Sequence, residues 1–189
     1  MKVPILSGVY TDAAGDFRAT YPRNLVPTVE ASGINSGYLR PAPGIEQLAT
    51  IPNGGVDRGG VFWKNDHYRV SRQKFVRVAP DGVVTEIFDF TASIGSNFSG
   101  RVSFAAGFDR LAIAVSGNLF YYTGTGVPTR VNDLDLGYVA DVTWQGGYFI
   151  TTDGEFIITT DLNDPTSVNP LKYGSAESDP DPLIGVGMH

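Results

Sequence analysis

The sequence predicts an all-β protein: a β-propeller, about three to four blades of it in this chain, behind an extended N-terminal arm. Three observations carry that expectation. The 189 residues include 23 glycines and 12 prolines set among Val, Ile, Thr, Phe and Tyr, the composition of many short strands joined by tight turns. From residue 59 onward, four short apolar segments and their turns recur at roughly the 40–45-residue period of a propeller blade. The first 50 residues show no such period.

The arm comes first. Proline stands at 4, 22, 27, 41 and 43, and glycine at 8, 15, 33, 37 and 44. Proline fixes φ and removes a hydrogen-bond donor, which excludes a helix or a central strand. Residues 1–50 therefore read as extended pieces and turns lying over the protein's own body or over a neighbour.

Residues 51–189 read as a partial propeller. In the first blade, near 59–98, Gly60–Trp63 and His67–Val70 form a hairpin around a turn at Lys64–Asp66. Lys74–Val78 follows, then the turn Ala79-Pro80-Asp81-Gly82, where Pro presets φ and Gly takes the positive value, and then Val83–Ile87. The second blade, near 100–134, runs through Arg101–Ala105, Leu111–Val115, Leu119–Tyr122 and Pro128–Val131. The third, near 137–174, has Tyr138–Trp144, Tyr148–Thr151 and Phe156–Thr160. Leu183–Gly187 reads as the opening strand of a fourth. Three blades and a fraction do not close a ring, so the sequence is expected to be the N-terminal part of a longer propeller. A sandwich or barrel, whose strands recur at similar spacing, is the competing architecture. The glycine-opened, apolar first strand of each copy favours the propeller.

Composition limits function. Zero cysteines exclude a disulfide framework and a thiolate metal site. No apolar run approaches the roughly 18 residues that a membrane helix needs, and no membrane partner is expected. The first ten residues, broken by Pro4, are too short for a signal peptide, in keeping with synthesis in a reducing cytoplasm. A net charge of −6 argues against general nucleic-acid binding, leaving DNA contact at most local.

Candidate chemistry is thin. His67 and His189 are the only histidines, and His67 sits in a strand with no nucleophile elbow nearby, so it reads as an ordinary strand histidine. Carboxylates cluster at Asp133 and Asp135, at Asp161 and Asp164, and at Glu177, Asp179 and Asp181. Such pairs serve glycosidases or bind calcium, but Asp also caps turns through its own side chain, and the missing glycine and terminal Glu of a calcium loop favour turn chemistry. No catalytic residue, metal or cofactor is assigned, and the protein reads as a non-enzyme. Trp63 and Trp144 close the first strands of the first and third blades and read as wedges between blades rather than sugar platforms. Tyr121-Tyr122 reads as partly exposed, a candidate for an interface. Lys64, Arg69, Arg72, Lys74 and Arg77 make one segment basic inside an acidic protein. With Arg69 and Arg77 sharing a face with cross-strand neighbours, it is a candidate patch for an anionic partner, or a charged blade edge that discourages aggregation.

An ordered set of short motifs points further. Tyr21-Pro-x-Asn24-Leu25 and Ser36-Gly37-Tyr38-Leu39-Arg40-x-x-Pro43-Gly44-Ile45 open it; Arg58-Gly59, Tyr68-Arg69-Val70 and Gly100-Arg101-Val102-Ser103 continue it. Leu136-Gly137-x-Val139-x-Asp141-Val142, Gly147-Tyr148, Asp153-Gly154, Phe156-Ile157-x-Thr159, Asp161-Leu162, Ala176-Glu177-Ser178-x-Pro180-Asp181 and Ile184-Gly185-x-Gly187 complete it. This colinear series resembles the packaged-DNA stabilisation proteins, or tail hubs, of short-tailed bacteriophages. The resemblance implies a β-propeller and a structural role in the virion tail. It implies a hexameric ring beneath the portal and its adaptor, in contact with the tail needle and tailspike, closing the DNA channel and retaining packaged DNA. On that reading Tyr21, Asn24, Leu25, Tyr38, Leu39 and Arg40 of the arm are the expected assembly contacts. A β-propeller carbohydrate-binding module is the alternative from another class.

Overall fold

The structure, a computed structural model, describes residues 25–28, 38–96, 98, 100–162, 164–169, 171, 173–175 and 182–187, with residues 25–28 and 38–39 described as backbone. The chain divides after Gln47 into two units. In the first, β1 (Leu25–Thr28) pairs antiparallel with β2 (Tyr38–Pro41), Leu25 opposite Pro41 and Thr28 opposite Tyr38. The extended pieces foreseen in the arm are thus joined as a hairpin. Pro27 and Pro41 are tolerated because each strand of a two-stranded ribbon is an edge, where a missing donor is harmless.

The second unit holds three four-stranded antiparallel sheets, each a simple meander. Blade 1 consists of β3 (Asp57–Trp63), β4 (Asp66–Ser71), β5 (Lys74–Val78) and β6 (Val84–Asp89), followed by one helical turn, α1 (Thr91–Ile94). Blade 2 consists of β7 (Ser103–Ala106), β8 (Leu111–Val115), β9 (Asn118–Tyr122) and β10 (Thr129–Arg130). Blade 3 consists of β11 (Asp141–Gln145), β12 (Tyr148–Thr152), β13 (Phe156–Thr159) and β14 (Gly174–Ser175). The first strand β7 lies beside β3 on one side and β11 on the other. First strands adjacent and sheets stacked face to face are the geometry of propeller blades.

Turn chemistry fixes the hairpins. Lys64-Asn65, Ser116-Gly117 and Gly146-Gly147 each place two successive residues at positive φ, the two-residue turn whose twist matches the flanking strands. Gly117 carries a second constraint: a Cβ there would lie 2.4 Å from the Tyr138 ring. Gly59 is fixed by close approach, since a Cβ would meet the Val102 carbonyl oxygen at 2.3 Å where β3 and the start of blade 2 come together.

The core forms two layers, and β8 belongs to both. All five of its residues are buried. Leu111, Ile113 and Val115 face blade 1, joining Trp63, Tyr68, Val70 and Phe75 with Phe90, Phe98, Phe120 and Tyr122. Ala112 and Ala114 face blade 3, joining Leu119, Tyr121, Val139, Val142, Phe149 and Ile158. Alternation with period two delivers large side chains to one layer and methyl groups to the other. The first layer is rich in aromatics: the Phe90 ring lies 5.0 Å from Phe120 and 5.2 Å from Phe88, both edge-on.

Several boundaries differ from the sequence expectation. β11 starts at Asp141 rather than Tyr138, because Val139 is drawn into a bridge with Gly117, its N–H donating to the Gly117 carbonyl at 3.1 Å. β14 was not foreseen; two residues including a glycine carry no strand signal. Leu183–Gly187 forms no strand. The Leu183 N–H donates to the Gly154 carbonyl at 2.8 Å and the Val186 N–H to the Asp141 carboxylate at 3.2 Å, so its backbone bonds go to blade 3 rather than to a ladder of its own. Tyr121 and Tyr122 are buried, not partly exposed, because β9 is sandwiched between the two layers.

Phe90→Ala is expected to lower unfolding free energy by about 3–5 kcal/mol in denaturant titration, the cost of emptying a fully buried aromatic site. Phe108→Ala, at a position 92% exposed, is expected to stay within about 0.5 kcal/mol of the parent.

Candidate assembly surface and polar sites

The candidate assembly residues of the arm fall on its hairpin or outside the described residues. Tyr21 and Asn24 lie outside them. Leu25 opens β1; Tyr38, Leu39 and Arg40 stand in β2 opposite Thr28, Pro27 and Val26, and Arg40 is exposed. A two-stranded ribbon is marginal in water by itself, which suits an element that finishes its packing against something else.

The basic segment does not make one patch. Arg69 stands opposite Val76 while Arg77 stands opposite Tyr68, so the pleat puts the two arginines on opposite faces of blade 1. Arg69 pairs with the Asp57 carboxylate, and Lys74 reaches Glu86 at 2.6 Å. Arg72 occupies a turn at φ 58°, and its carbonyl accepts from Arg58. Lys64 lies 4.2 Å from the centre of the Trp63 ring, with its Nζ 3.4 and 3.5 Å from the carbonyls of Asp109 and Thr123. Arg77 Nη1 stands 3.8 Å from Asp66. Cross-strand pairing, invisible in a one-dimensional charge count, spreads the five cations over both faces and both ends of the blade.

Two charged residues that the sequence reading left without a role tie the blades together. The Arg58 guanidinium donates to the carbonyls of Arg72 (2.8 Å), Gly100 (2.9 Å) and Phe98 (3.0 Å) and stacks 4.8 Å from the Phe98 ring. Its own carbonyl accepts from the Val102 N–H at 2.8 Å. One planar fork thereby fixes the entry to blade 1 against the entry to blade 2. Asp141, buried at the start of blade 3, accepts from the N–H groups of Val142 (2.9 Å) and Val186 (3.2 Å) and lies 3.3 Å from Arg101 Nη2. Between β3 and β7 runs an open cleft of about 480 Å³ lined by Asp57, Arg58, Gly59, Arg101 and Phe104 among others. Its charges are already engaged: Arg58 on carbonyls, Asp57 on Arg69, Arg101 on Asp141. The signal in the sequence was the pairing of Arg with Gly at the mouth of blades 1 and 2, Arg58-Gly59 and Gly100-Arg101.

Five of the described loop carboxylates cap turns. Asp81, Asp89, Asp133, Asp153 and Asp164 each accept the N–H two residues on, and Asp133 also takes the N–H of Val168 at 2.9 Å. Glu177, Asp179 and Asp181 lie outside the described residues. Among the described residues no three His, Asp or Glu side chains gather as metal ligands. His67 stands on the outer face of blade 1 between Phe62 and Val78, its imidazole held below the usual value first by burial and then by Arg69. Trp63 is buried between blades 1 and 2, and Trp144, partly buried, packs against the second layer.

A family model described as Bacteriophage P22 Gp10, beta-propeller, matches residues 1–189. The chain belongs to this family. The tail hub protein gp10 of Salmonella phage P22 is 31% identical over 203 aligned positions, which cover 98% of this chain and 40% of that protein. This member of the P22 Gp10 family thus spans 40% of the length of the relative it matches. Among solved structures, the computationally designed Ika8 protein superposes with a TM-score of 0.54 at 10% identity, covering 90% of this chain and 51% of that one. The designed Ika4 protein gives 0.53 at 10% identity, covering 76% and 87%. At such identity these likenesses speak for the fold alone, and they agree with the β-propeller architecture of the family.

Acid stability follows from the turn carboxylates. Asp89 is held below the usual carboxylate value by its bonds to Thr91, Asp109 by Arg110, and Asp164 by its bonds to Thr166. A depressed folded-state pKa contributes stability above the unfolded value and loses it as pH falls, so the melting temperature is expected to drop from about pH 5 to about pH 2. Thermal melts of an Asp89→Asn, Asp109→Asn double variant should show a shallower fall; an unchanged slope would assign acid sensitivity elsewhere.

Proposed function

We propose that this chain is the propeller-bearing N-terminal part of a structural phage tail protein, a tail hub. It assembles as a hexameric ring beneath the portal and its adaptor, receives the tail needle and tailspike, closes the DNA channel and helps retain packaged DNA in the virion. On this reading the protein is made in the host cytoplasm and works by assembly rather than catalysis. The observation that carries the reading is the family match over all 189 residues, together with 31% identity to the tail hub protein of phage P22.

Features already described support that role. A ring subunit needs a stiff body, and two apolar layers tied by the Arg58 fork supply one. Ring closure needs contacts that are not self-complementary, and an arm reaching a neighbouring copy provides them. Tyr21, Asn24, Leu25, Tyr38, Leu39 and Arg40 are assigned to those contacts, with Arg40, exposed on β2, available to a carboxylate across the interface.

Negative-stain imaging of the chain mixed with portal–adaptor particles of its own phage is expected to show new density capping the channel end. Deleting residues 1–45 is expected to abolish that density while the second unit keeps its cooperative melt. Capping by the deleted form would remove the arm from assembly, and a full chain that leaves the particles bare would count against the hub reading itself.

A further inference from the structure

Blade 1 meets blade 2 along a seam where two phenols, one guanidinium and one carboxylate gather on the same face. Val61, Tyr68, Arg77 and Thr85 form one cross-strand row, and Trp63 and Asp66 form the next, all on the face turned toward blade 2. Blade 2 contributes Tyr122, its ring centre 5.7 Å from that of Tyr68 and 6.3 Å from that of Trp63. Lys64 stands at the rim over the Trp63 ring.

The polar groups of this niche are under-satisfied by the protein. The Tyr121 hydroxyl donates to the Pro165 carbonyl and that of Tyr173 to the Asp135 carbonyl, whereas no described protein group bonds the Tyr68 or Tyr122 hydroxyl, and neither oxygen is sealed from solvent. Arg77 Nε is buried without a hydrogen-bond partner, as is Arg69 Nε on the other face, and Asp66 forms a loose ion pair with Arg77 Nη1 at 3.8 Å, beyond hydrogen-bond length. Both phenols are raised above the usual value, first by burial. Tyr68 stands directly opposite Arg77, and its ring centre lies 5.7 Å from that of Tyr122.

We propose that Arg77, Tyr68 and Tyr122, with Lys64 at the rim, form a receptor for a carboxylate side chain of a protein partner at the seam between blades 1 and 2. A guanidinium and two phenols are donors aimed at an acceptor, and one carboxylate matches the single positive charge left when Asp66 offsets one of the two cations. The Trp63 wall keeps water away from one side and strengthens the contact. DNA is the poorer fit. Its backbone requires a stripe of cations, whereas Arg69 and Lys74 lie on the opposite face, already paired with Asp57 and Glu86. The receptor uses residues of blades 1 and 2 and none of those assigned to the arm.

Trp63 is its reporter. In a Trp144→Phe background it is the one tryptophan left, because the sequence holds two. Titration of the full chain with an end-capped hexaglutamate peptide is expected to change its emission saturably, with hexaglutamine inert. Arg77→Gln should weaken the affinity by about tenfold and Tyr122→Phe by several-fold, the loss of a charge-assisted and of a neutral bond, with melting temperatures kept. Calorimetric titration of the chain with both tryptophans gives the same comparison without relying on the background. A flat titration by both methods, or binding that Arg77→Gln leaves unchanged, overturns the proposal. Tighter binding of a twelve-nucleotide thymidine strand, dependent on the same residues, would also overturn it in favour of a nucleic-acid site.

Discussion

The structure depends on one constraint: the middle sheet has no free face. A sheet covered on both sides must place apolar groups on every residue of its central strands, and the pleat sends successive ones to opposite layers. β8, Leu-Ala-Ile-Ala-Val, meets this with branched side chains toward blade 1 and alanines toward blade 3. The asymmetry sets the spacing of the layers. Against blade 1, bulky aliphatics mesh with rings such as Phe75, Phe90 and Tyr122; against blade 3, methyl groups let Phe149 and Tyr121 approach, their ring centres 5.0 Å apart. A one-residue slip of β8 would exchange these sets and leave one layer overfilled and the other hollow.

Close backbone approach is the second consequence. Blades that stack at this distance bring the ends of first strands together, and Gly59 and Gly117 mark where a side chain would collide with the next blade. The polar groups exposed by these approaches are satisfied by side chains long enough to span them. Arg58 serves three carbonyls at the entry to blade 2, and Asp141 serves two N–H groups at the entry to blade 3. Unmet, those groups would each cost about 1–3 kcal/mol in a buried setting. The ties therefore convert stacked sheets into a body stiff enough to serve as a scaffold, and a scaffold is the role the family reading requires.

The same geometry explains why the site residues behave as they do. Strand pairing distributes the cations of segment 64–77 into separate environments: Arg69 and Lys74 neutralised on the outer face, Arg77 turned inward beside two phenols, Lys64 lying on Trp63. Asp81, Asp89, Asp133, Asp153 and Asp164 are each occupied by the backbone two residues on, and Asp109 by Arg110.

Much of this was legible in the residues. Short apolar runs, glycine-bearing turns and their period determine the three meanders, because strand formation and two-residue turns are local choices. Asp at the loop positions determines the turn caps for the same reason, and the order of motifs along the chain determines the family. The tertiary structure alone decided which face each residue serves. Nothing local tells Arg69 from Arg77, makes Tyr121 and Tyr122 buried, draws Val139 out of β11, or turns Arg58 and Asp141 into ties. Those outcomes follow from register between strands and contact between blades, where the partners lie tens of residues apart in the chain and only packing brings them together.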